Sequence, residues 1–131
     1  MVIMGLAYSL VPPLFSSGSS GAELKSATRQ LAAGLRKARS EAISRKRETF
    51  LALDVEQRKF KISGDSRVFS LSRKVEVKLH AAQSELFSGH TGGIRFFPDG
   101  SSTGGRITLA VGDLIYQIDV DWMTGRVTIG E

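Results

Sequence analysis

Between Ala22 and Lys46 a single repeating pattern limits what the rest of the chain can do. At about 100° per residue, Leu24, Ala27, Leu31, Leu35, Ala38 and Ala42 fall on one narrow arc of a helix, while Arg29, Arg36 and Lys37 point well away from it. Half of the arc is alanine, which suits close approach to a flat partner such as a β-sheet better than a bulky helical seam. One amphipathic helix cannot bury its own stripe, so the remaining residues must supply an opposing surface, with these six as the helix-to-sheet core.

From Glu48 onward the period falls to two. Thr49 to Leu53 and Lys59 to Ser63 flank the polar turn 54–58 and predict a hairpin. Val75 to Leu79 alternates cleanly after a short strand over Val68 to Leu71, and residues 80–92 are small and polar, as a loop would be. Ile94 to Phe97, Arg106 to Val111, Leu114 to Val120 and Arg126 to Ile129 complete a run of strands separated by glycine-bearing turns. The fold class expected is α+β: a long N-terminal helix packed on antiparallel sheet formed by the C-terminal two-thirds. A chain of 131 residues with 41% hydrophobic content can build one such core. Trp122, just before the last turn, is expected to plug the sheet.

The first fifteen residues carry no charge. A membrane-spanning helix needs about 20 apolar residues, and this run is shorter and holds Pro12 and Pro13. A secretory signal would open with basic residues and close with a small-x-small site, and neither is present. The run also fits the C-terminal end of a longer apolar helix. Ser16 to Gly21 is rich in serine and glycine and predicts a flexible joint, dividing the chain into an appendage at 1–21 and a globular head at 22–131 that includes the helix 22–46.

Charge is unevenly placed. Residues 1–47 hold eight basic side chains against Glu23 and Glu41, whereas the rest of the chain is one charge short of neutral. Arg36, Lys37, Arg39, Arg45, Lys46 and Arg47 are therefore the candidate contacts for an anion such as DNA, against the plainer reading of a solvated helix face. With no cysteine, thiolate chemistry and the usual zinc sites are excluded, and His80 and His90 lack metal spacing. The loop Gly100 to Gly105 has no lysine leading into a helix and reads as turn chemistry rather than a phosphate cradle. Asp119 and Asp121 share a strand face without a third ligand and read as a solvent-facing edge. No motif ties a serine, histidine and aspartate into a triad, so no enzyme, cofactor, metal or small-molecule substrate is expected.

Three ordered segments carry a resemblance: residues 31–45, with Ala38-Arg-Ser-Glu-Ala-Ile43 at their heart; residues 94–107, Ile-Arg-Phe-Phe-Pro-Asp-Gly-Ser-Ser-Thr-Gly-Gly-Arg-Ile; and Asp121-Trp-Met-Thr-Gly-Arg-Val127. Together they resemble minor pseudopilins and minor type IV pilins of the GspH/FimT type over residues 22–129. That resemblance implies a single-pass inner-membrane anchor helix, a periplasmic β-rich head, and incorporation beside other pseudopilins or minor pilins near a filament tip, helping to initiate assembly. It makes residues 1–15 the tail of the anchor, with Leu6, Leu10, Val11, Leu14 and Phe15 as helix-to-helix contacts. The family's leader peptide, processed and methylated N-terminus and Phe-Thr-Leu-x-Glu start are absent from this sequence, so none of these is assigned to a position. A nearly neutral head and an acidic last third favour the type II secretion pseudopilus, and the basic helix end favours a pilus subunit that binds DNA for uptake.

Overall fold

The computed structural model describes residues 12–81 and 90–130, with side chains from Gly21 onward. Helix α1 spans Pro12–Arg45. It is followed by β1 (Thr49–Asp54), β2 (Lys59–Ile62), β3 (Phe69–Ser70), β4 (Glu76–Ala81), β5 (Thr91–Phe96), β6 (Gly105–Val111), β7 (Leu114–Val120) and β8 (Val127–Gly130). The strands form two four-stranded antiparallel sheets, in the orders β3-β2-β1-β5 and β4-β6-β7-β8. Contact between β4 and β5 brings one edge of each sheet together, and α1 lies across strands of both.

The helix differs from expectation at one end. The Ser16–Gly21 segment is not a break: helical backbone runs through it without interruption. Serine and glycine each lower helix stability by only about 0.5–1 kcal/mol relative to alanine, and extending an existing helix adds a hydrogen bond per residue without a new nucleation step. At the other end Lys46 takes a left-handed backbone at φ 55° and Arg47 N–H donates to the Ala42 carbonyl at 3.2 Å, a Schellman closure with lysine where glycine is usual.

Leu24, Leu31, Leu35, Ala38 and Ala42 have no accessible surface and Ala27 is buried, so the arc faces the sheets. Thr28 and Ala32, outside the predicted arc, are buried too, and the Thr28 hydroxyl donates to the Leu24 carbonyl at 2.8 Å. Gly34 belongs to the same face: a methyl group there would press into the Phe60 ring at 2.7 Å. Helix and sheet therefore touch almost backbone to side chain, as an alanine-rich seam requires.

Alternation fills the rest of the core. In β1, Leu51 and Leu53 point inward, and Phe60 and Ile62 of β2 join them. Ile94 and Phe96 come from β5, and Ile107, Leu109, Ile118 and Val120 from β6 and β7. The β1–β2 hairpin turns on Asp54, whose carboxylate accepts the Glu56 and Gln57 N–H groups at 3.0 and 2.9 Å. The loop predicted over 80–92 is shorter at its ends, since β4 reaches Ala81 and β5 starts at Thr91; residues 82–89 lie outside the described residues.

Candidate functional site

The three segments singled out in sequence meet at Arg39. Its Nε–H donates to the Gly100 carbonyl and to the Thr124 carbonyl, each at 3.0 Å. Gly100 belongs to the loop between β5 and β6, which joins the two sheets, and Thr124 to the turn between β7 and β8 of the second sheet, so one guanidinium fastens α1 to both. The fit leaves no room for a side chain at Gly125, which has φ 70°: a Cβ would collide with the Gly100 carbonyl oxygen and lie 2.9 Å from Arg39 Nε.

The two loops are also tied to each other. Ser102 N–H donates to the Trp122 carbonyl at 2.9 Å, and the Ser102 hydroxyl donates to the Arg95 carbonyl at 2.7 Å. The Asp99 carboxylate accepts the Ser101 hydroxyl at 2.6 Å, which with the Ser101 N–H holds its pKa below the ordinary carboxylate value. The glycine-rich loop is thus a turn closed on its own side chains, with the Gly100 carbonyl turned toward Arg39.

This junction takes apart the basic cluster. Arg36 donates to the Val127 carbonyl at 3.2 Å, so Arg36 and Arg39 both serve the fold. Lys37 lies 3.6 Å from Asp65 and 4.0 Å from Glu41, and Arg45 lies 4.0 Å from Glu41. The Arg67 side chain, aided by its own N–H and by Lys37, holds the Asp65 carboxyl far below the ordinary range. Arg45, Lys46 and Arg47 remain exposed in a row at the helix end. Sequence alone missed the roles of Arg36 and Arg39 because their acceptors are backbone carbonyls, which leave no mark on residue identity. The one available signal was that the three resembling segments recur together.

Other sequence candidates separate. Asp119 lies on β7, which is flanked by β6 and β8 and is not an edge as expected; Asp119 pairs across the ladder with Arg106 at 2.6 Å. Asp121 is used in the turn, accepting the Met123 N–H at 2.8 Å. His80 is exposed on β4, and His90 Nδ1 lies 3.5 Å from Asp54 and 3.1 Å from the Thr91 hydroxyl. Among the described residues no group of His, Asp and Glu side chains could hold a metal ion. Trp122 does not plug the sheet: its side chain is 65% exposed, because it rides on the outside of the β7–β8 turn whose backbone faces Ser102. Of the predicted helix contacts, Leu6, Leu10 and Val11 lie outside the described residues, and Leu14 and Phe15 are on helical backbone whose side chains are not described. Among the described residues no helix is long and apolar enough to cross a membrane.

A family model described as Type II transport protein GspH matches residues 27–125, a span that holds Arg39, Gly100, Thr124 and Gly125. The chain belongs to the GspH family. It is accordingly a GspH-type minor pseudopilin of type II secretion, a structural family not known for catalysis, with a type IV pilin-like fold. The GspH-type chain is 34% identical over 130 residues to Type II secretion system protein H of Xanthomonas campestris pv. campestris, covering 99% of this chain and 76% of that relative. Its fold is similar to the type IV minor pilin FimU of Pseudomonas aeruginosa, with a TM-score of 0.65 at 20% identity over 86% of this chain and 92% of FimU. The minor pseudopilin EpsH of the Vibrio cholerae type 2 secretion system matches equally well, with a TM-score of 0.65 at 13% identity over 82% of this chain and 96% of EpsH. Membership in the family implies assembly with other pseudopilins in a periplasmic pseudopilus.

Proposed function

We propose that this chain sits at or near the tip of the type II secretion pseudopilus and helps initiate its assembly for protein export across the outer membrane. The observation that carries the reading is α1 itself. Its greater part is core of the head, from Leu24 to Ala42, while its backbone continues beyond the packed region to Pro12. A rod packed into the head over most of its length and projecting at one end suits a filament whose interior is a bundle of helices, each satisfying its own backbone and packing apolar side chains on its neighbours. In this reading Leu6, Leu10, Val11, Leu14 and Phe15 make those contacts. Before assembly the same apolar segment holds the chain in the inner membrane, with its head in the periplasm.

Arginine at Leu10 and Leu14 tests the proposal in cells. The expected result is a folded head, lost cross-linking to the other pseudopilins and reduced export; cross-linking and export at the unsubstituted level would refute it. The DNA-uptake reading rests on the exposed row Arg45, Lys46 and Arg47. Gel retardation that weakens steeply with salt would favour it, and no retardation at low salt removes it.

A further inference from the structure

The large apolar side chains left outside the core are not scattered. Among the described residues, four of the seven that stay exposed sit at the two ends of β7: Leu114 and Ile115 at its start, Trp122 and Met123 just beyond its finish. Helix and strand run beside each other over the same length, about 27 Å of α1 from Gly21 to Arg39 and about 26 Å of chain from Leu114 to Trp122. A methyl group on Gly21 would lie 3.7 Å from Leu114 Cδ1, and Arg39 is bonded to the Thr124 carbonyl. The two apolar pairs therefore mark opposite ends of the head.

The ends differ in charge. At the start of β7 a two-residue turn, Gly112-Asp113, carries an exposed carboxylate beside Leu114 and Ile115, which line a groove of about 340 Å³ with Gly21 and Lys25. At the other end an open hollow of about 430 Å³ is lined by Arg39, Asp121, Thr124 and Arg126, residues of the helix and of the turn that carries Trp122 and Met123. Arg36 reaches the neighbouring Val127 carbonyl. None of these three arginines is in an ion pair among the described residues. The nearby carboxylates are engaged, Asp121 by the Met123 N–H and Asp99 by Ser101. Exposed tryptophan and methionine beside arginine are the composition of a protein-binding surface.

We infer that each end is covered by the opposite end of a second copy of this chain. The Asp113 tip of one copy enters the arginine-lined hollow of the next, and its Leu114 and Ile115 cover Trp122 and Met123 there. Charge selects this pairing. Like ends set face to face would bring Asp113 against Asp113 or Arg126 against Arg126, whereas unlike ends place the carboxylate among guanidinium groups. Polarity selects it too: a twofold contact between like ends would turn the two α1 rods in opposite directions. A contact between unlike faces at opposite ends does not close in a pair, and it repeats with every rod pointing the same way. It is made by the head alone, so it stands apart from the rod contacts proposed above.

The sequence has no cysteine, so disulfide trapping in the purified full chain reads the contact at chosen places. Ile115→Cys chains and Met123→Cys chains, mixed and mildly oxidised, should form the 115–123 dimer in excess of random pairing. One chain carrying both cysteines should form a ladder of multimers. Both sites are exposed, and urea midpoints at the unsubstituted level confirm that the variants fold. Adding Arg126→Glu to the Met123→Cys chain should lower the mixed dimer by about fivefold, as expected for reversing one charge of an exposed ion pair. Asp113→Lys on the Ile115→Cys chain should then restore most of it. A mixed dimer no more abundant than random pairing overturns the inference. So does a preference for 115–115 or 123–123 dimers, which assigns the faces to a symmetric contact, and so does a yield indifferent to both charge reversals.

Discussion

The packed part of α1 has two ends that are built differently. Around Arg39 the helix is fastened to two loops by hydrogen bonds from a single guanidinium, and Gly125 fits with no space for a methyl group. Around Gly21 the helix meets the β6–β7 turn through ordinary contact at a groove, and leucine and isoleucine are left facing outward. The first end is determined by the chain's own interior. The second is unfinished as an interior, which is what a surface reserved for something outside the chain should be.

Substitutions should separate the two ends by their effect on stability. The largest loss is expected for Gly125→Ala. A left-handed backbone with a side chain costs about 1–2 kcal/mol, and overpacking against a carbonyl adds about 1–3 kcal/mol. A fall of roughly 3 kcal/mol in urea unfolding would follow, and a loss under about 1 kcal/mol would break the picture of a closed junction.

Arg39→Ala should be next, at about 1.5–3 kcal/mol, because the two carbonyls lose a charged donor. Arg39→Lys should recover only part of this, since an ammonium on a flexible stem does not reproduce a rigid guanidinium whose Nε–H is held between the two carbonyls. Full recovery by lysine would mean that charge alone matters there.

The third effect is one of pH. Asp65 is held below its ordinary pKa in the folded chain, so the stability it contributes is present above its unfolded pKa of about 3.9 and is lost as pH falls through the lower folded value. Asp65→Asn should lower stability near neutrality and flatten its decline below about pH 4. Urea midpoints measured across that range check both parts, and an unchanged acid limb would remove Asp65 from the account. The smallest effect belongs to the other end of the helix: Leu114→Ser should change stability by no more than about 0.5 kcal/mol, as for an exposed site bearing no load. A loss of about 2 kcal/mol or more would make the β6–β7 turn part of the core and erase the contrast.

Much of the fold was legible because burial imposes a period on sequence. The arc from Leu24 to Ala42, the hairpin around 54–58 and the order of the later strands all follow from spacing. What was not legible shares a cause: the deciding partner is remote or has no side-chain signature. Ser16 to Gly21 argue locally for a break, and the helix already built on the packed side carries through them. Arg36 and Arg39 looked like solvated charge because carbonyls 91 and 61 residues away cannot be read from residue type. Trp122 looked like core because hydrophobicity predicts burial, yet its backbone is recruited to the Ser102 contact and its ring is turned out.

A continuous helix fastened near one end has a mechanical consequence. Because α1 touches strands of both sheets and Arg39 bonds to the loop that joins them, tension drawn along the rod enters the two β-layers in parallel. Neither layer then bears the whole force, and the weakest seam between them is not the path by which pulling is transmitted.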